Sequence, residues 1–373
     1  PVDGHAPGLR GEVAAAYATA GITTDHECFT EAEARDKLAA GMKILIREGS
    51  AARNYAALEG LIDEFPDRLM FCTDDSHPND LLNGHIDRLV IRAVRGGHDL
   101  WNVLQIACRN PVRHYQLDIG QLRVGDPGDF ICVDDLRHFG IMQTWRRGRL
   151  IAEAGAHLMG ETTTETPNIF LARPLRADDL RVPARPDARL RVIRVHDGEL
   201  MTGTEWMKPS IAAGHAVTAT SHDLLKIVVV NRYQPGAPPA IAFVTGMKMQ
   251  RGAIASSVAH DSHNIVAVGV TDEDLAAAIN TVIANRGGIA AAREDRTESL
   301  ALPIAGLMSD ERGPRVADRY SYVSGFARRG LRCQLEAPFM TLSFLALLVI
   351  PELKLSDRGL FDGNAFAFTN LWD

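Results

Sequence analysis

The sequence predicts an α/β protein built around a parallel sheet. Short apolar or β-branched runs alternate with segments whose composition favours helices, and the alternation repeats four times along the first part of the chain. Each short run is also followed at once by a polar cluster. Such alternation is typical of βα units with parallel strands. Polar residues at the carboxyl ends of those strands form ligand sites in barrels and in open α/β sheets alike.

Local signals predict each element of this first region. Gly21 and Gly41 end two helices in the usual C-terminal position. Thr30 and Glu33 have the spacing of a capping box, which places a helix start between them. A Gly/Pro loop follows the first strand end within residues 1–9. The predicted helices are Glu12–Ala20, 31–40 and Asn54–Phe65, and the predicted strands are Ile22–His26, Met42–Ile46 and Leu69–Thr73.

The rest of the chain is predicted to contain a helical stretch, a small β-structure and a second α/β region. The helical stretch is Ile86–Ala107, and Asn110-Pro111 predicts a turn after it. Gly-rich turns and short β-runs then continue from Gly120 to about Leu150, and the polar segment Glu161–Pro167 is predicted to be a linker. Beyond it, the predicted elements are strands Leu190–Val195, Lys226–Asn231, Ala240–Thr245 and Ile265–Val270, and helix Asp272–Asn285 with Thr271 as its cap.

Composition narrows the class of protein. A chain of 373 residues is expected to form two or more domains. Its net charge of −7 and lack of a long basic run argue against nucleic acid or an anionic membrane as a partner. Five cysteines without a C-x-x-C pair suggest reduced thiols in a cytoplasmic enzyme. Because a candidate ligand stands at position 5, we expect these residues to be the later part of a longer polypeptide.

Three short motifs carry the candidate chemistry: Asp-Gly-His at 3–5, Asp-His-Glu at 25–27 and Cys-Thr-Asp-Asp at 72–75. Imidazole and carboxylate are ligands for zinc, iron and manganese. Taken singly, His5 fits a surface residue, His26 fits a solvated loop or helix start, and Asp74 fits a turn cap. Together they follow successive predicted strands, which favours a metal site that makes water nucleophilic. His77 and His85 are predicted to be helix-start or surface residues.

Longer motifs point to a family. They include DGHAPGL, DHE, GMKILIREGSAARN, CTDD, GHID, VAHDSHNIV, LPIAGLMS and LKLSDRGLFDG. These motifs resemble those of adenine deaminases of the amidohydrolase superfamily, and the resemblance extends over nearly the whole chain. The resemblance implies the second half of a metal-dependent (β/α)8 barrel in residues 1–115, a small β-domain segment in 116–160 and a C-terminal α/β domain in 161–373. It also implies conversion of adenine to hypoxanthine and ammonia, a reaction of purine salvage and adenine catabolism.

The resemblance assigns roles to the candidate residues. His5 resembles the metal ligand after barrel strand 5, and His26 the ligand after strand 6. Asp74 resembles the aspartate after strand 8, which binds metal and shuttles protons. The family also uses an His-x-His pair and a bridging Glu, neither of which can be placed in this sequence. The implied cofactor is a divalent metal, Mn, Fe or Zn, binuclear in the complete enzyme, and the implied assembly is a homo-oligomer.

The sequence is compatible with more than one role for the possible substrate-contacting residues and with more than one function. Arg47, Glu48 and Ser50 follow a predicted strand, where they fit either hydrogen bonds to purine ring nitrogens or a salt bridge at the barrel rim. The polar run that contains His260, Ser262 and His263 fits either a pocket-closing segment or a capped turn. Alternative functions are hydrolysis of a cyclic amide and a non-catalytic binding fragment. Ammonia release from adenine, but not from adenosine or cytosine, separates the two enzyme functions.

Overall fold

A computed structural model describes residues 1–50, 53–160 and 164–373. The chain divides into two compact units, Pro1–Thr163 and Thr164–Asp373, and each contains both helices and strands. The mixed α/β character that the sequence predicts is therefore confirmed. Of the predicted linker Glu161–Pro167, residues 161–163 lie outside the described residues.

The first unit begins with a parallel sheet whose strands lie side by side in chain order, β1-β2-β3-β4. Gly4 pairs with Asp25, Asp25 with Ile44, and Arg47 with Cys72, so the strands end at one edge. The central residues of the third and fourth strands are buried because helices cover them. The strands are β1 (Asp3–Gly4), β2 (Thr24–Asp25), β3 (Lys43–Arg47) and β4 (Leu69–Cys72).

Helices connect and cover these strands. Thr30 caps the second helix, because its side chain accepts a hydrogen bond from the backbone N–H of Glu33. The predicted helix Asn54–Phe65 is shorter in the structure, where a 3₁₀ turn Glu59–Leu61 follows its first turn. The helices are α1 (Gly11–Thr19), α2 (Glu31–Ala39), α3 (Tyr55–Leu58), α4 (Pro78–Leu81), α5 (Ile86–Arg95), α6 (Leu100–Leu104) and α7 (Asn110–Tyr115).

The predicted turn at Asn110-Pro111 is wrong, since both residues lie in α7. A π-helical turn, Gln105–Arg109, precedes this helix, and Pro111 occupies its first turn. Proline is tolerated in a first helical turn, where its missing N–H has no intrahelical role. The buried Asn110 side chain donates to the carbonyl oxygens of Pro66 and Leu69 at 2.6 and 2.7 Å. The asparagine thus holds the helix against β4 and does not form a turn.

An antiparallel meander completes the first unit. Its strands are β5 (Phe130–Val133), β6 (Ile141–Arg146), β7 (Arg149–Glu153) and β8 (Ala156–His157), in that order across the sheet. Most of its residues are half-buried or exposed.

The second unit is organised by one long sheet and a helix packed against it. The order of strands is β11-β10-β15-β14-β17-β16-β18-β19, antiparallel except for the parallel pair β10 and β15. Its strands are β10 (Leu190–Arg194), β11 (Gly203–Met207), β14 (Leu225–Val230), β15 (Ala240–Thr245), β16 (Ala253–Ser256), β17 (Ile265–Gly269), β18 (Gly288–Arg293) and β19 (Arg296–Ala301). The predicted strands coincide with β10, β14, β15 and β17 to within one residue at each end.

Smaller elements surround the long sheet. Helix α8 (Asp272–Ala284) is capped by Thr271, as predicted. The helices that follow are α9 (Gly313–Gly325) and α10 (Pro338–Phe344), and the short strands are β9 (Val182–Pro183), β12 (Ser210–Ala212), β13 (His215–Val217), β20 (Leu353–Ser356), β21 (Gly359–Asp362) and β22 (Ala367–Phe368). Among the described residues, no helix is both long and apolar enough to cross a membrane.

Candidate active site

Four polar residues lie at the carboxyl edge of the parallel sheet. His5 follows β1 directly, His26 follows β2, Arg47 ends β3, and Asp74 comes two residues after β4. Because the strands are parallel and in register, residues that leave them meet at this edge. The structure therefore brings together the three residues that the sequence predicts as metal ligands.

Glu27 lies at the centre of this group. Its Oε1 atom is 3.6 Å from His5 Nδ1 and 3.3 Å from His26 Nε2. The His26 Nε2 atom is also 3.8 Å from Asp74 Oδ2, and the two imidazole rings meet edge to face with centroids 4.6 Å apart. Glu27 is not among the residues that the sequence predicts for the site. The signal for Glu27 in the sequence is its position directly after His26, in the motif Asp-His-Glu at 25–27.

Arg47 supplies the positive charge that these carboxylates need. Its side chain is 1% exposed, so the guanidinium makes its contacts inside the protein. The NH1 group lies 2.9 Å from Glu27 Oε1 and 2.7 Å from Asp74 Oδ2, and NH2 lies 2.9 Å from Glu27 Oε2. This two-pronged contact with Glu27 is the strong, planar form of an arginine–carboxylate pair.

These contacts also explain the acidity of Glu27. Burial by itself raises the pKa of its carboxyl group, but hydrogen bonds from His26 and Arg47 favour the charged form and hold the pKa well below its usual range. Glu27 is therefore an anion at neutral pH. A charged carboxylate beside two imidazoles is a donor set suited to a divalent cation.

Asp74 has an uncommon backbone conformation. Its φ angle is +54°, in the left-handed region that L-residues other than Asn and Asp rarely adopt. The side chain is 40% exposed, whereas those of His26 and Glu27 are 15% and 13% exposed. Arg47 thus holds the Asp74 carboxylate in place, while the exposed part of that side chain can be reached by small molecules.

The spacing of the donor atoms fits a metal ion. Ligand atoms about 2.1 Å from a tetrahedral ion lie about 3.4 Å from one another. The donor atoms of His5, His26 and Glu27 all lie within 4.8 Å of one another, and the closest pairs are 3.3 and 3.6 Å apart. A further carboxylate oxygen, Asp74 Oδ2, lies 3.8 Å from His26 Nε2. The two imidazoles and the Glu27 carboxylate are spaced as ligands of a divalent cation, and Asp74 lies beside them.

Glu48 and Ser50 lie at a neighbouring cavity of about 410 Å³, lined also by Thr73, His85 and Arg92. Glu48 is not paired with Arg47: its Oε2 atom accepts from Arg92 at 3.1 Å. The Ser50 hydroxyl donates to Asp80 and accepts from the backbone N–H of His77 at 2.8 Å.

His77 and His85 are the residues immediately before α4 and α5, in agreement with the prediction that they mark helix starts.

His260, Ser262 and His263 lie in the second unit, in the loop between β16 and β17. The His260 ring stacks on Phe344, with centroids 4.7 Å apart and planes 15° apart. The Nδ1 atom of His263 accepts from the backbone N–H of Ala259 at 3.2 Å, and the carbonyl of Ser262 accepts from the Tyr233 hydroxyl at 3.0 Å. These contacts hold the loop in a defined shape. Its role as a pocket-closing segment stays a prediction.

Comparison with known proteins agrees with this geometry. Residues 1–151 match the amidohydrolase family, and residues 199–367 match the adenine deaminase C-terminal domain. An adenine deaminase of Salinibacter ruber is 56% identical over 370 residues, which are 99% of this chain and 68% of that protein. Those of Sulfurovum sp. and Methanosarcina mazei are 53% and 48% identical, over 98% and 100% of this chain and 67% and 69% of theirs.

The match extends through both compact units and includes the segments that carry His5, His26, Glu27, Arg47 and Asp74. Identity near one half along almost the entire chain is far above what a shared fold alone would produce. On this basis the chain belongs to the adenine deaminase family of the amidohydrolases.

Proposed function

We propose that this chain carries ligands of the metal centre, and the proton-transferring carboxylate, of an enzyme that hydrolyses adenine to hypoxanthine and ammonia. The observation that carries the proposal is the convergence of His5, His26 and Glu27 at distances suited to a divalent ion, with Asp74 3.8 Å from His26 at the same sheet edge. Membership of the adenine deaminase family supplies the substrate. The family generally uses divalent metals.

His5, His26, Glu27 and Asp74 would hold the ion. A divalent ion at such a position supplies Lewis acidity that lowers the pKa of water to about 7. Arg47 donates hydrogen bonds to Glu27 and to Asp74 and so orients both carboxylates. We therefore assign Arg47 a positioning role, because its buried guanidinium is already committed to these two carboxylates.

Asp74 is placed to move the proton. As the C6–O bond forms, its carboxylate takes one proton from the attacking water and delivers it to the exocyclic nitrogen. The C6–N bond then breaks and ammonia leaves. The other proton from water ends on ring nitrogen N1 of hypoxanthine in its 6-oxo form, so adenine and water are fully converted. The exposed fraction of Asp74, 40%, gives the substrate access to this group.

The finer features of the resemblance remain part of this proposal. Strands β1–β4, parallel and in chain order with helices between them, support half of a (β/α)8 barrel. We propose residues 1–115 for it, residues 116–160 for a small β-domain segment and residues 161–373 for the C-terminal domain. The same proposal includes a binuclear Mn, Fe or Zn centre and a homo-oligomer in the cytoplasm. It also includes substrate contacts from Glu48, Ser50, His260, Ser262 and His263.

The test is an ammonia-release assay on the purified chain loaded with Mn²⁺, Fe²⁺ or Zn²⁺, alone and together with the part of the longer relatives that this chain does not span. We expect ammonia from adenine, and none from adenosine or cytosine. Hydrolysis of a cyclic amide without adenine turnover would favour a different amidohydrolase reaction. Absence of both turnover and metal binding in every combination would favour a non-catalytic fragment.

A further inference from the structure

A buried cluster of side chains lies next to the candidate active site in sequence, because two of its residues directly flank His26 and Glu27. Lys37, Asp25 and Cys28 are 0% exposed and Glu33 is 3% exposed. We call these four residues the Lys37 cluster. Lys37 and Glu33 lie on α2, one helical turn apart, while Asp25 ends β2 and Cys28 follows it. Burying three charged groups together requires that each be paired, because an unpaired charge in a protein interior is strongly unfavourable.

The ammonium group of Lys37 is saturated with hydrogen bonds. Its Nζ atom lies 2.5 Å from the carbonyl oxygen of Ala6, 2.8 Å from Asp25 Oδ2 and 2.7 Å from Glu33 Oε1. An ammonium group has three donors, and these are three acceptors. The Cys28 thiol donates to Asp25 Oδ2 at 3.3 Å.

The carboxylates of the cluster bind the backbone on either side of the metal ligands. Asp25 Oδ1 accepts from the N–H of Ala6 at 3.0 Å, and Glu33 Oε1 accepts from the N–H of Gly8 at 2.7 Å. Glu33 Oε2 accepts from the N–H of Phe29 at 3.1 Å. Ala6 directly follows His5, and Asp25 directly precedes His26. The cluster therefore joins the loop after β1 to the loop after β2.

Lys37 lies among a second group of possible metal ligands. The donor atoms of Asp25, Cys28 and Glu33 lie within 4.8 Å of one another, and these residue types can hold a metal ion. The Lys37 Nζ atom, however, lies within hydrogen-bond distance of both carboxylates. The protein thus provides its own cation here, covalently attached and present whether or not the active site is loaded.

We propose that Lys37 is a positioning residue that fixes the separation of His5 and His26 for the divalent ion, a role that rests on the proposed function. A metal ion requires donor atoms at defined distances, and a loop displaced by a few tenths of an ångström weakens its binding. Partners that orient the ligands of a metal site typically contribute 10- to 100-fold in metal affinity or activity. The Lys37 cluster is such a partner for two ligand-bearing loops at once.

The experiment is a titration of the metal-free chain with Mn²⁺, in which electron paramagnetic resonance reports free ion. We expect the Kd for Mn²⁺ to rise about 10- to 100-fold in Lys37→Met. The matched control is Lys226→Met in the second unit. Lys226 is also buried, donates to the carbonyl of Leu180 at 2.8 Å and pairs with Asp272, and both of these partners belong to the second unit. The control should keep its Mn²⁺ affinity even where it loses comparable thermal stability.

A folded Lys37→Met chain with the Mn²⁺ affinity of the unchanged protein would overturn the proposal. If Lys37→Met does not fold, Glu33→Gln takes its place, because it removes one charge and keeps the volume of the side chain. An unaltered Kd in that variant would overturn the proposal equally. If the unchanged protein bound no Mn²⁺, either alone or together with the part of the longer relatives that it does not span, the proposed function itself would fall, and the assignment of Lys37 with it.

Discussion

Arg47 and Glu27 meet through two hydrogen bonds of 2.9 Å each, NH1 to Oε1 and NH2 to Oε2. The two planar groups are thereby fixed relative to one another, as in other two-pronged arginine–carboxylate pairs. The same NH1 group reaches Asp74 Oδ2 at 2.7 Å. One buried cation thus holds both carboxylates that we place at the metal centre.

The first prediction concerns this cation. Arg47→Met leaves Glu27 buried without its main partner, and breaking a buried pair on one side typically costs about 3–5 kcal/mol of unfolding free energy. Urea denaturation of the metal-free chain at pH 7 measures the loss. The control is Arg315→Met, which breaks an exposed pair with Glu311, side chains 78% and 43% exposed. There we expect about 1 kcal/mol or less. Equal losses in both variants would contradict the assigned role.

The second prediction concerns proton transfer. Asp74→Asn removes the group that accepts a proton, and we expect turnover of adenine to fall by about 10²-fold or more. The fold should survive, because Asn tolerates the left-handed backbone of this position and its amide oxygen still accepts from Arg47. Steady-state ammonia release and thermal melting measure the two properties. Asp118→Asn, an exposed residue paired with Arg147, is the control and should remain active. Retained activity in Asp74→Asn would refute the assigned role.

The strands of the second unit show which elements a sequence can reveal. Ala240–Thr245 was predicted to the residue, because its apolar and β-branched residues favour a buried strand. Ala253–Ser256 and Gly288–Arg293 are equally buried, yet Ala and Gly carry little strand preference of their own. What makes these two segments strands is their antiparallel pairing with each other, across more than 30 positions of the chain, and with the adjacent strands β17 and β19. Such pairing leaves no local signal.

Some residues of the candidate site can likewise be predicted from the sequence, and others cannot. His5, His26 and Asp74 could be predicted, because the position of a residue just after a strand is a local property. The inward direction of Arg47 could not, since a charged residue at a strand end fits a rim salt bridge equally well. The role of Lys37 depends on contacts with Ala6 and Asp25, which lie 31 and 12 positions away. Only the folded chain shows that these groups meet.

The third prediction concerns the close approach of backbone at Gly4, directly before His5. A Cβ atom at this position would lie 2.5 Å from Ile22 Cγ2, 2.6 Å from the Tyr17 hydroxyl and 2.9 Å from the Thr24 carbonyl oxygen. The last of these is backbone within β2 and cannot turn aside. We expect Gly4→Ala to cost about 1–3 kcal/mol of unfolding free energy, measured by urea denaturation.

The same substitution should weaken Mn²⁺ binding, because the added methyl group displaces the segment that carries His5. Gly313→Ala is the control, since nothing lies within 4 Å of a Cβ atom there. That variant should match the unchanged protein in both stability and Mn²⁺ affinity. A Gly4→Ala chain as stable as Gly313→Ala would show that β1 and β2 are not packed as described.

Lys354 lies on β20 in the second unit and is 0% exposed. Its Nζ atom donates to the carbonyl oxygen of Leu200 at 2.8 Å. Burial lowers the pKa of this amine from 10.5 to about 7. Lys354 therefore loses its proton in the folded chain well below the pH at which an exposed lysine does.

The fourth prediction follows from the sign of that shift. Between pH 7 and 10.5 the unfolded chain binds a proton at Lys354 that the folded chain does not, so this residue makes stability rise with pH. Below pH 7 Lys354 is protonated in the folded chain as well, and the full cost of burying its charge lowers the unfolding free energy. Lys354→Met should therefore raise the unfolding free energy at pH 6, by on the order of a few kcal/mol, and by less at pH 10. Lys226→Met, which leaves Asp272 without its partner, should destabilise the chain instead. A gain for Lys354→Met that is constant from pH 6 to 10 would mean that Lys354 stays charged in the folded protein.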